Sequence, residues 1–261
     1  MFHVKQFEKL ESFCRENNLI INDSILSKYQ KFYEYLVEQN KVMNLTAITD
    51  IQDVEVKHFI DSLESAQIIN DIAKEKNNKE KSGGISDSQN SLSQLSVIDI
   101  GTGAGFPGIP LAIEFPEHKF VLADSLNKRI NFINNVLDIC NLRNVAAVHG
   151  RAEDLAINSE NREKYDICVS RAVANMPVLL EYCLPFVNIG GYVIMYKSGD
   201  YKEELDASKN ALKILGGKLT GTKEFMLPNT DYSRSLIIVK KEKQTPKKYP
   251  RKAGTPKKEP L

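Results

Sequence analysis

A strand that leads into a glycine turn and then a helix constrains the fold of this chain most. The strand, Ser96–Ile100, is apolar and mostly β-branched, as a central parallel strand is. Gly101, Gly103 and Gly105 follow it and let the backbone approach a ligand without a Cβ in the way. Pro107 then suits the first turn of a helix, where its missing N–H has no intrahelical partner. The pattern predicts a strand, a ligand-binding turn and a helix in succession.

The spacing of the glycines narrows the choice of ligand. Gly103, Gly105 and Gly108 satisfy the dinucleotide pattern G-x-G-x-x-G, whereas the spacing differs from that of a P-loop. Asp99 lies two residues before Gly101, which gives acid-x-Gly-x-Gly-x-Gly, the S-adenosylmethionine version of the loop. An acid at the strand end can attract the α-ammonium of that cofactor, directly or through water. We therefore predict that S-adenosylmethionine is the cofactor.

A second acid supports the binding of a nucleoside. The next strand, Lys119–Asp124, ends on an acid about 20 residues after the loop, where such a carboxylate suits a ribose diol. NAD and S-adenosylmethionine both carry this ribose, so Asp124 does not separate the two cofactors. The alternative role for Asp124 is a helix cap, although Ser125 can serve that purpose.

Strands alternate with helices from Ser96 onward, which is typical of a doubly wound parallel sheet. Two late strands, at 218–226 and 235–240, flank turn residues and predict an antiparallel hairpin at one edge. Class I methyltransferases have this hairpin, and nicotinamide Rossmann domains usually lack it. The expected fold is α/β: a class I S-adenosylmethionine-dependent methyltransferase with a Rossmann-like, mostly parallel seven-stranded sheet, a closing antiparallel hairpin and a helical N-terminal extension.

Periodicity and composition divide the chain into four segments. These are a helical N-terminal extension (1–73), a low-complexity loop (74–95), a methyltransferase domain (96–241) and a basic, proline-rich tail (242–261). The net charge of +1 hides an asymmetry, because residues 240–261 carry nine Lys or Arg and two Glu. We expect this tail to bind RNA phosphates, and we expect its removal to leave cofactor binding intact.

The composition also bears on location and on metals. No apolar run reaches about 18 residues and the first residues form no apolar signal core, so we expect no membrane partner. Cys14, Cys140, Cys168 and Cys183 are far apart and form no C-x-x-C pair. They predict buried, reduced thiols in a cytoplasmic protein, with neither a disulfide nor a metal site.

Several motifs together resemble those of one known family. The loop itself reads DIGTGAGFPGIPL at 99–111, including an unusual Pro-Gly-Ile-Pro-Leu continuation. Four shorter motifs accompany it: NLT at 44–46, HFIDSL at 58–63, GRAE at 150–153 and SRAVA at 170–174. On these residues the chain resembles the ribosomal RNA small subunit methyltransferase G family, also called glucose-inhibited division protein B. The tail, YPRKAGTP at 249–256, is similar to members from low-GC Gram-positive bacteria.

The resemblance implies an activity and a set of site residues. The implied reaction is methylation of guanine N7 in 16S rRNA near the decoding site, at guanine 527, with 16S rRNA or the small ribosomal subunit as partner. We expect the enzyme to be a monomer. By the resemblance, Gly101 and Phe106 line the cofactor, Asp124 meets its ribose, and Ala152 with Glu153 lies at the adenine. The predicted cofactor-binding residues are Asp99, Gly101, Gly103, Gly105, Phe106, Asp124, Ser125, Ala152, Glu153 and Arg171.

The residue types suit this chemistry. Guanine N7 carries a lone pair at neutral pH, so catalysis can rest on in-line positioning without a general base. Enzymes that methylate exocyclic amines carry Asn/Asp-Pro-Pro-aromatic after the fourth strand, where this chain has SRAV at 170–173. Methylation of pyrimidine C5 needs a thiolate, and neither Cys168 nor Cys183 stands in a suitable context.

Arg171 and Lys197 are the predicted catalytic residues, as positioning groups. They end the fourth and fifth strands, at the edge where ligands bind in such sheets. Either could hold a phosphate or the guanine O6, although Lys197 could also be a solvated strand end. By the resemblance, Arg171 lies at the cofactor and the target base. Two roles are open for His58: a contact with RNA, or a purely structural role.

Two other functions stay open at this point. Gly103, Gly105, Gly108 and Asp124 also allow a nicotinamide- or flavin-dependent oxidoreductase, against which Asp99 and the predicted hairpin argue. The basic tail alone would suit a non-catalytic RNA-binding module.

Overall fold

One seven-stranded sheet organises the protein, for which a computed structural model describes residues 7–82 and 93–261. The strand order is β3-β2-β1-β4-β5-β7-β6; β7 pairs antiparallel with both β5 and β6, and the other pairings among these strands are parallel. This arrangement confirms the predicted class I fold with its closing hairpin. The strands are β1 (Ser96–Ile100), β2 (Lys119–Asp124), β3 (Val145–His149), β4 (Tyr165–Arg171), β5 (Val187–Ser198), β6 (Gly217–Met226) and β7 (Ser233–Lys241).

The helices cover both faces of the sheet. In residues 7–82 and 93–261, none of them combines the length and apolar character needed to cross a membrane. A π-helical turn, Glu55–Ile60, joins α3 to α4, and a 3₁₀ turn, Leu184–Phe186, precedes β5. The helices are α1 (Glu8–Glu16), α2 (Asp23–Met43), α3 (Ile51–Val54), α4 (Asp61–Leu63), α5 (Ala66–Ser82), α6 (Gly108–Glu114), α7 (Asn127–Ile139), α8 (Ala152–Leu155), α9 (Met176–Cys183), α10 (Lys202–Ala207), α11 (Lys209–Leu215) and α12 (Thr255–Lys258).

The alternation of side chains along β1 divides the core into two layers. Val97 points to a layer that contains the N-terminal helices, whereas Ile98 points to the opposite layer beneath α9 and α11. Tyr29 and Phe32 of α2 are fully buried in the first layer. The aromatic residues of the N-terminal extension therefore belong to the core of the sheet domain, and the extension has no separate core among the described residues.

The boundary of the predicted low-complexity loop is wrong. Helix α5 continues to Ser82, so residues 74–82 are helical, while residues 83–92 lie outside the described part. The polar side chains that suggested a loop bind the sheet instead. Glu75 accepts hydrogen bonds from Tyr192 Oη at 2.6 Å and from Lys240 Nζ at 2.8 Å. These contacts supply the stabilisation that the composition of the segment does not reveal.

The first turn of α6 leaves no space for a side chain at Gly108. A Cβ at this position would lie 2.8 Å from Asp99 Oδ2 and 2.8 Å from Leu122 Cγ. We expect Gly108→Ala to lower the free energy of unfolding by about 1–3 kcal/mol through overpacking. Denaturant unfolding of both proteins measures the difference.

Gly221 in β6 is the matched control, because the nearest atom to a Cβ there is Ile238 Cδ1 at 3.7 Å. Gly221→Ala should change the free energy of unfolding by less than about 0.5 kcal/mol. Equal losses in the two variants would contradict the packing argument.

Candidate functional site

Two neighbouring cavities open at the carboxyl ends of the parallel strands, the edge at which such sheets bind ligands. The first encloses about 340 Å³ and is lined by residues that follow β1, β2, β3 and β4. The second encloses about 400 Å³ and lies between the N-terminal extension and the ends of β4 and β5. Ala172, directly after β4, lines both cavities and adopts a left-handed backbone with φ of 58°. Two ligands can therefore bind side by side.

The glycine turn forms one wall of the first cavity. Gly101 lines it with φ of 71°, and a Cβ there would collide with Val173 Cγ2. Gly103 and Gly105 lie outside the cavity lining, so their predicted role in cofactor binding stays a prediction. The backbone N–H of Gly103 instead donates to Asp124 Oδ2 at 3.0 Å. The turn thus shapes the cavity at Gly101 and orients an acid through Gly103.

Asp124 lines the first cavity and is already engaged by the protein. Its Oδ1 accepts from the backbone N–H of Leu126 at 2.9 Å, and its Oδ2 accepts from Gly103 and from Arg129 Nη1 at 3.2 Å. A carboxylate offers about four lone-pair positions, of which the described residues take three. One position on Oδ1 remains for a ribose hydroxyl, and a second becomes free when Arg129 moves away. Asp124 therefore fits the predicted ribose contact.

The other predicted adenosine contacts lie across the same cavity. Ser125, Ala152 and Glu153 all line it. Glu153 is buried at 5% exposure, and its Oε1 accepts from the backbone N–H of Gly254 at 2.9 Å. A cavity with acceptor groups at both ends suits an adenosine that presents ribose hydroxyls and an amino group.

The C-terminal segment contributes to the first cavity, whereas the composition predicts a separable tail. Gly254 and Lys257 line the cavity. Arg251 donates to Glu181 Oε2 at 2.7 Å, and the Glu181 side chain is fully buried on α9. Tyr249 is buried as well. Buried acids need cationic partners, and the basic residues of this segment supply one of them.

The glycine pattern predicts Asp99 near the cofactor, and the structure places its carboxylate outside the lining of both cavities. Its carboxylate is fully buried behind the turn, and Oδ2 accepts from the backbone N–H of Gly108 at 2.9 Å. Burial raises the pKa of the Asp99 carboxyl to about 7. The acid therefore holds the start of α6 against the turn and lies outside the lining of both cavities, and its predicted attraction of the cofactor ammonium, directly or through water, stays a prediction.

Arg171 lies in the second cavity and is held by the N-terminal extension. Its Nη1 donates to Asp61 Oδ2 at 2.6 Å and to the carbonyl of Lys57 at 3.2 Å. The guanidinium carbon lies 5.1 Å from the centroid of the Phe106 ring, a cation–π distance. These contacts fix the plane of the guanidinium at the end of β4, beside the shared residue Ala172.

The rings of Phe106 and His58 pack against each other next to the Arg171 guanidinium. Their rings stack with centroids 4.5 Å apart and an interplanar angle of 26°. Phe106 lies outside the lining of both cavities, so the contact with the cofactor that the resemblance implies stays a prediction. His58 Nε2 lies 2.8 Å from Thr46 Oγ1. Burial, followed by the charge of Arg171, lowers the pKa of His58 to about 3, so the ring is neutral at physiological pH.

Lys197 lines the second cavity, but its ammonium is already paired. Its Nζ lies 2.6 Å from Glu204 Oε2 and donates to the carbonyl of Ala174 at 3.2 Å. Glu204 also accepts from the backbone N–H of Met176 at 2.7 Å. Lys197 thus ties down the chain between β4 and α9, and a phosphate would have to compete with Glu204 for it.

The cysteines offer no nucleophile to either cavity. All four are buried free thiols. Burial raises the pKa of Cys168 well above its ordinary value, so its thiolate form is suppressed. Across residues 7–82 and 93–261, no group of three or more His, Cys, Asp or Glu side chains is placed to hold a metal ion.

Sequence reasoning missed several residues that line the cavities. Arg129, Gly254 and Lys257 line the first cavity, while Asp61 and Arg234 line the second. Asp61 belongs to the motif HFIDSL, where an acid three residues after a histidine among apolar residues was a usable signal. Gly254 lies within the motif YPRKAGTP and Lys257 follows it, but their approach to the cavity, like that of Arg129 and Arg234, depends on tertiary folding.

A family model and several related sequences share one description. The GidB model, for rRNA small subunit methyltransferase G, matches residues 25–78 and 84–235. The chain is 48% identical to the "Ribosomal RNA small subunit methyltransferase G" of Acetivibrio thermocellus over 92% of this chain and 90% of that protein. Proteins of the same name from Alkaliphilus metalliredigens and Staphylococcus carnosus are 45% and 44% identical. Each match covers 97% of this chain and, respectively, 97% and 96% of the relative.

Asp124 provides a test of the first cavity. Asp124→Ala should weaken binding of S-adenosylhomocysteine roughly ten- to hundredfold, because charge-assisted hydrogen bonds contribute about 1.5–3 kcal/mol. Isothermal titration calorimetry measures the Kd. Arg129→Ala is the control, because it removes a competitor and keeps the carboxylate. Its Kd should stay the same or decrease, and a Kd increased as much as in Asp124→Ala would contradict the assignment.

The C-terminal segment provides a second test. Deleting residues 244–261 leaves Glu181 buried without its partner, so unfolding free energy should fall by about 3–5 kcal/mol or more. The stabilisation by S-adenosylhomocysteine, read as a shift in Tm, should also be lost.

A double variant, Lys247→Ala with Lys252→Ala, removes two exposed charges of the same segment and keeps its buried contacts. It should retain both stability and the ligand-induced shift. Normal binding of S-adenosylhomocysteine by the deletion protein would instead support the prediction that the tail is separable.

Proposed function

The chain belongs to the rRNA small subunit methyltransferase G family, and from that premise we propose that it methylates N7 of guanine 527 in 16S rRNA. Membership makes the protein an S-adenosylmethionine-dependent methyltransferase of ribosomal RNA. It also decides against the two rival functions, a nicotinamide- or flavin-dependent oxidoreductase and a non-catalytic RNA-binding module. The atom and the position that are methylated belong to the proposal.

The sharing of Ala172 between the two cavities is the observation that carries the proposal. In the first cavity, Gly101, Asp124 and Glu153 would hold S-adenosylmethionine, with the two acids at the ribose and the adenine. The bound cofactor supplies a methyl group on a positively charged sulfur. The second cavity would hold the base, beside Arg171 and Lys197. Methyl transfer needs the two reactants in line and in contact, which adjoining cavities permit.

The groups of the second cavity suit a reaction without proton transfer. Guanine N7 attacks with its own lone pair, so no side chain has to remove a proton. His58 is neutral, and its ring is committed to Thr46 and to the carbonyl of Lys57. Arg171 would orient the base through its fixed guanidinium plane. Lys197 would act as a positioning residue by holding the Ala174 carbonyl.

The proposal includes the partner and the place of action. The substrate would be 16S rRNA, free or within the small ribosomal subunit, and the enzyme would act in the cytoplasm where ribosomes assemble. A monomer would suffice, because residues of one chain line both cavities.

The direct test is the identity of the product. The purified protein is incubated with S-adenosylmethionine and either 16S rRNA or small subunits from a strain that lacks the gene. Mass spectrometry of nuclease fragments should locate one 7-methylguanosine, at guanine 527. A methyl group on another atom or at another nucleotide would overturn the proposal.

Arg171→Lys should lower the single-turnover rate of methylation at least tenfold. Lysine keeps the charge, but it loses the planar fork that contacts Asp61 and the Lys57 carbonyl together. Arg143→Lys is the control, because Arg143 is exposed and binds Asn141 far from the cavities. Both variants should keep their Kd for S-adenosylhomocysteine. A rate near that of the parent in Arg171→Lys would reduce Arg171 to a simple positive charge.

The single-turnover rate should be constant between about pH 6.5 and 8.5. The pKa of His58, at about 3, lies below this window, so the ring does not titrate within it. The pKa of Asp99, at about 7, lies inside the window, although its carboxylate is behind the glycine turn. The single-turnover rate should therefore be measured across this pH window for both the parent and Asp99→Asn. A steep rise with pH in both proteins would demand a general base and contradict the proposed chemistry.

A further inference from the structure

Asp61 carries a buried carboxylate oxygen that the described residues leave without a hydrogen bond. Asp61 begins α4, is 3% exposed and lines the second cavity. Its Oδ2 accepts from Arg171 Nη1 at 2.6 Å. Its Oδ1 has no hydrogen-bond partner among residues 7–82 and 93–261. The closest cation to Oδ1 given by the structure is Arg234 Nε at 3.7 Å, an ion pair that is too long for a hydrogen bond.

Such an oxygen is costly to bury. A charged group that loses water without a replacement hydrogen bond carries the full free-energy cost of its desolvation. Buried polar atoms are therefore almost always satisfied, and an exception calls for a partner such as a ligand. Four side-chain atoms in the described residues share this state: Asp61 Oδ1, Asp99 Oδ1, Thr102 Oγ1 and His118 Nε2. Asp61 is the member of this group that lines the second cavity.

We propose that Asp61 selects guanine as the target base by accepting hydrogen bonds from guanine N1–H and the N2 amino group. This inference rests on the proposed function and assigns it a specificity residue. An ionised carboxylate only accepts hydrogen bonds, and guanine is the base that presents two adjacent donors on its Watson–Crick edge. Adenine would present the lone pair of its N1 to the same oxygen. Asp61 therefore attracts one purine and repels the other.

The placement of Asp61 agrees with methylation at N7. The N1 and N2 edge of guanine lies on the opposite side of the ring system from N7. Asp61 lines the second cavity and lies outside the lining of the first, whereas Ala172 borders both. A guanine with its donor edge at Asp61 would therefore direct N7 toward Ala172 and the cofactor cavity. Arg171 precedes Ala172 in the chain. Its hydrogen bond to Asp61 fixes the plane of its guanidinium, which can then contact the base.

A purely structural role for Asp61 is the competing explanation, and it makes a different prediction. If Asp61 only holds Arg171, its loss slows methylation of every base by the same factor. If Asp61 reads the base, its loss removes the preference between bases that differ in the donor edge. Inosine separates these outcomes, because it keeps N7 and N1–H and lacks the N2 amino group.

The experiment compares two 16S rRNAs, prepared by splinted ligation, with guanosine or inosine at the methylated position. The parent protein should methylate the guanosine RNA at least tenfold faster in kcat/KM than the inosine RNA. In Asp61→Ala and in the nearly isosteric Asp61→Asn, both rates should fall and their ratio should approach one. Binding of S-adenosylhomocysteine confirms that each variant is folded. Glu64→Gln is the matched control, because Glu64 pairs with Lys223 at 2.7 Å from the same part of the chain and lies outside the cavity lining. Its ratio should equal that of the parent.

A ratio that stays at the parent value in both Asp61 variants would overturn the inference, as would a parent protein that does not distinguish the two RNAs. Failure of the proposed function itself gives another result, because the parent would then form no 7-methylguanosine in the natural RNA. In that case the inference falls with it.

Discussion

The buried ion pair between Arg171 and Asp61 joins the two parts of the chain from which the site is built. Arg171 comes from the end of a sheet strand, and Asp61 comes from the N-terminal helices, 110 residues earlier. Removing one partner of such a pair leaves an uncompensated charge at a cost of about 3–5 kcal/mol. The pair therefore couples the shape of the second cavity to the packing of α2 and the π-helical turn on the sheet. The N-terminal extension is in this sense part of the second cavity.

Asp99 and Asp124, the two acids predicted to meet the cofactor, both accept hydrogen bonds from the backbone. Asp99 binds the first turn of α6, and Asp124 binds Gly103 and Leu126. These hydrogen bonds preorganise the wall of the first cavity, so a cofactor meets donors and acceptors that are already in place. Asp124 retains one open acceptor position toward the cavity, while Asp99 is closed off from it. Two acids at similar places in the pattern thus have different roles.

The distribution of positive charge follows the same logic. Composition alone placed a basic, RNA-binding tail at residues 242–261, yet cations in and just before this segment pair with acids of the preceding domain. Lys241 is fully buried and lies 3.2 Å from Glu163 Oε1, and burial lowers its pKa to about 8. Arg251 covers Glu181 in the same way. A charge count records how many cations a segment has, whereas the fold determines how many of them face solvent or a ligand.

The sequence by itself determined the fold class, the sheet with its closing hairpin, and the cofactor loop, because hydrophobic periodicity and glycine spacing are local properties of the chain. It also singled out Arg171, Asp124 and Glu153, which line the two cavities. Only the tertiary structure decided what those residues contact. It buried Asp99 outside the lining of both cavities, stacked Phe106 on His58, and extended α5 as far as Ser82. It also brought Asp61, Gly254 and Lys257 to the strand ends. These outcomes depend on which buried charges find partners across large sequence separations, and no local pattern specifies such pairings.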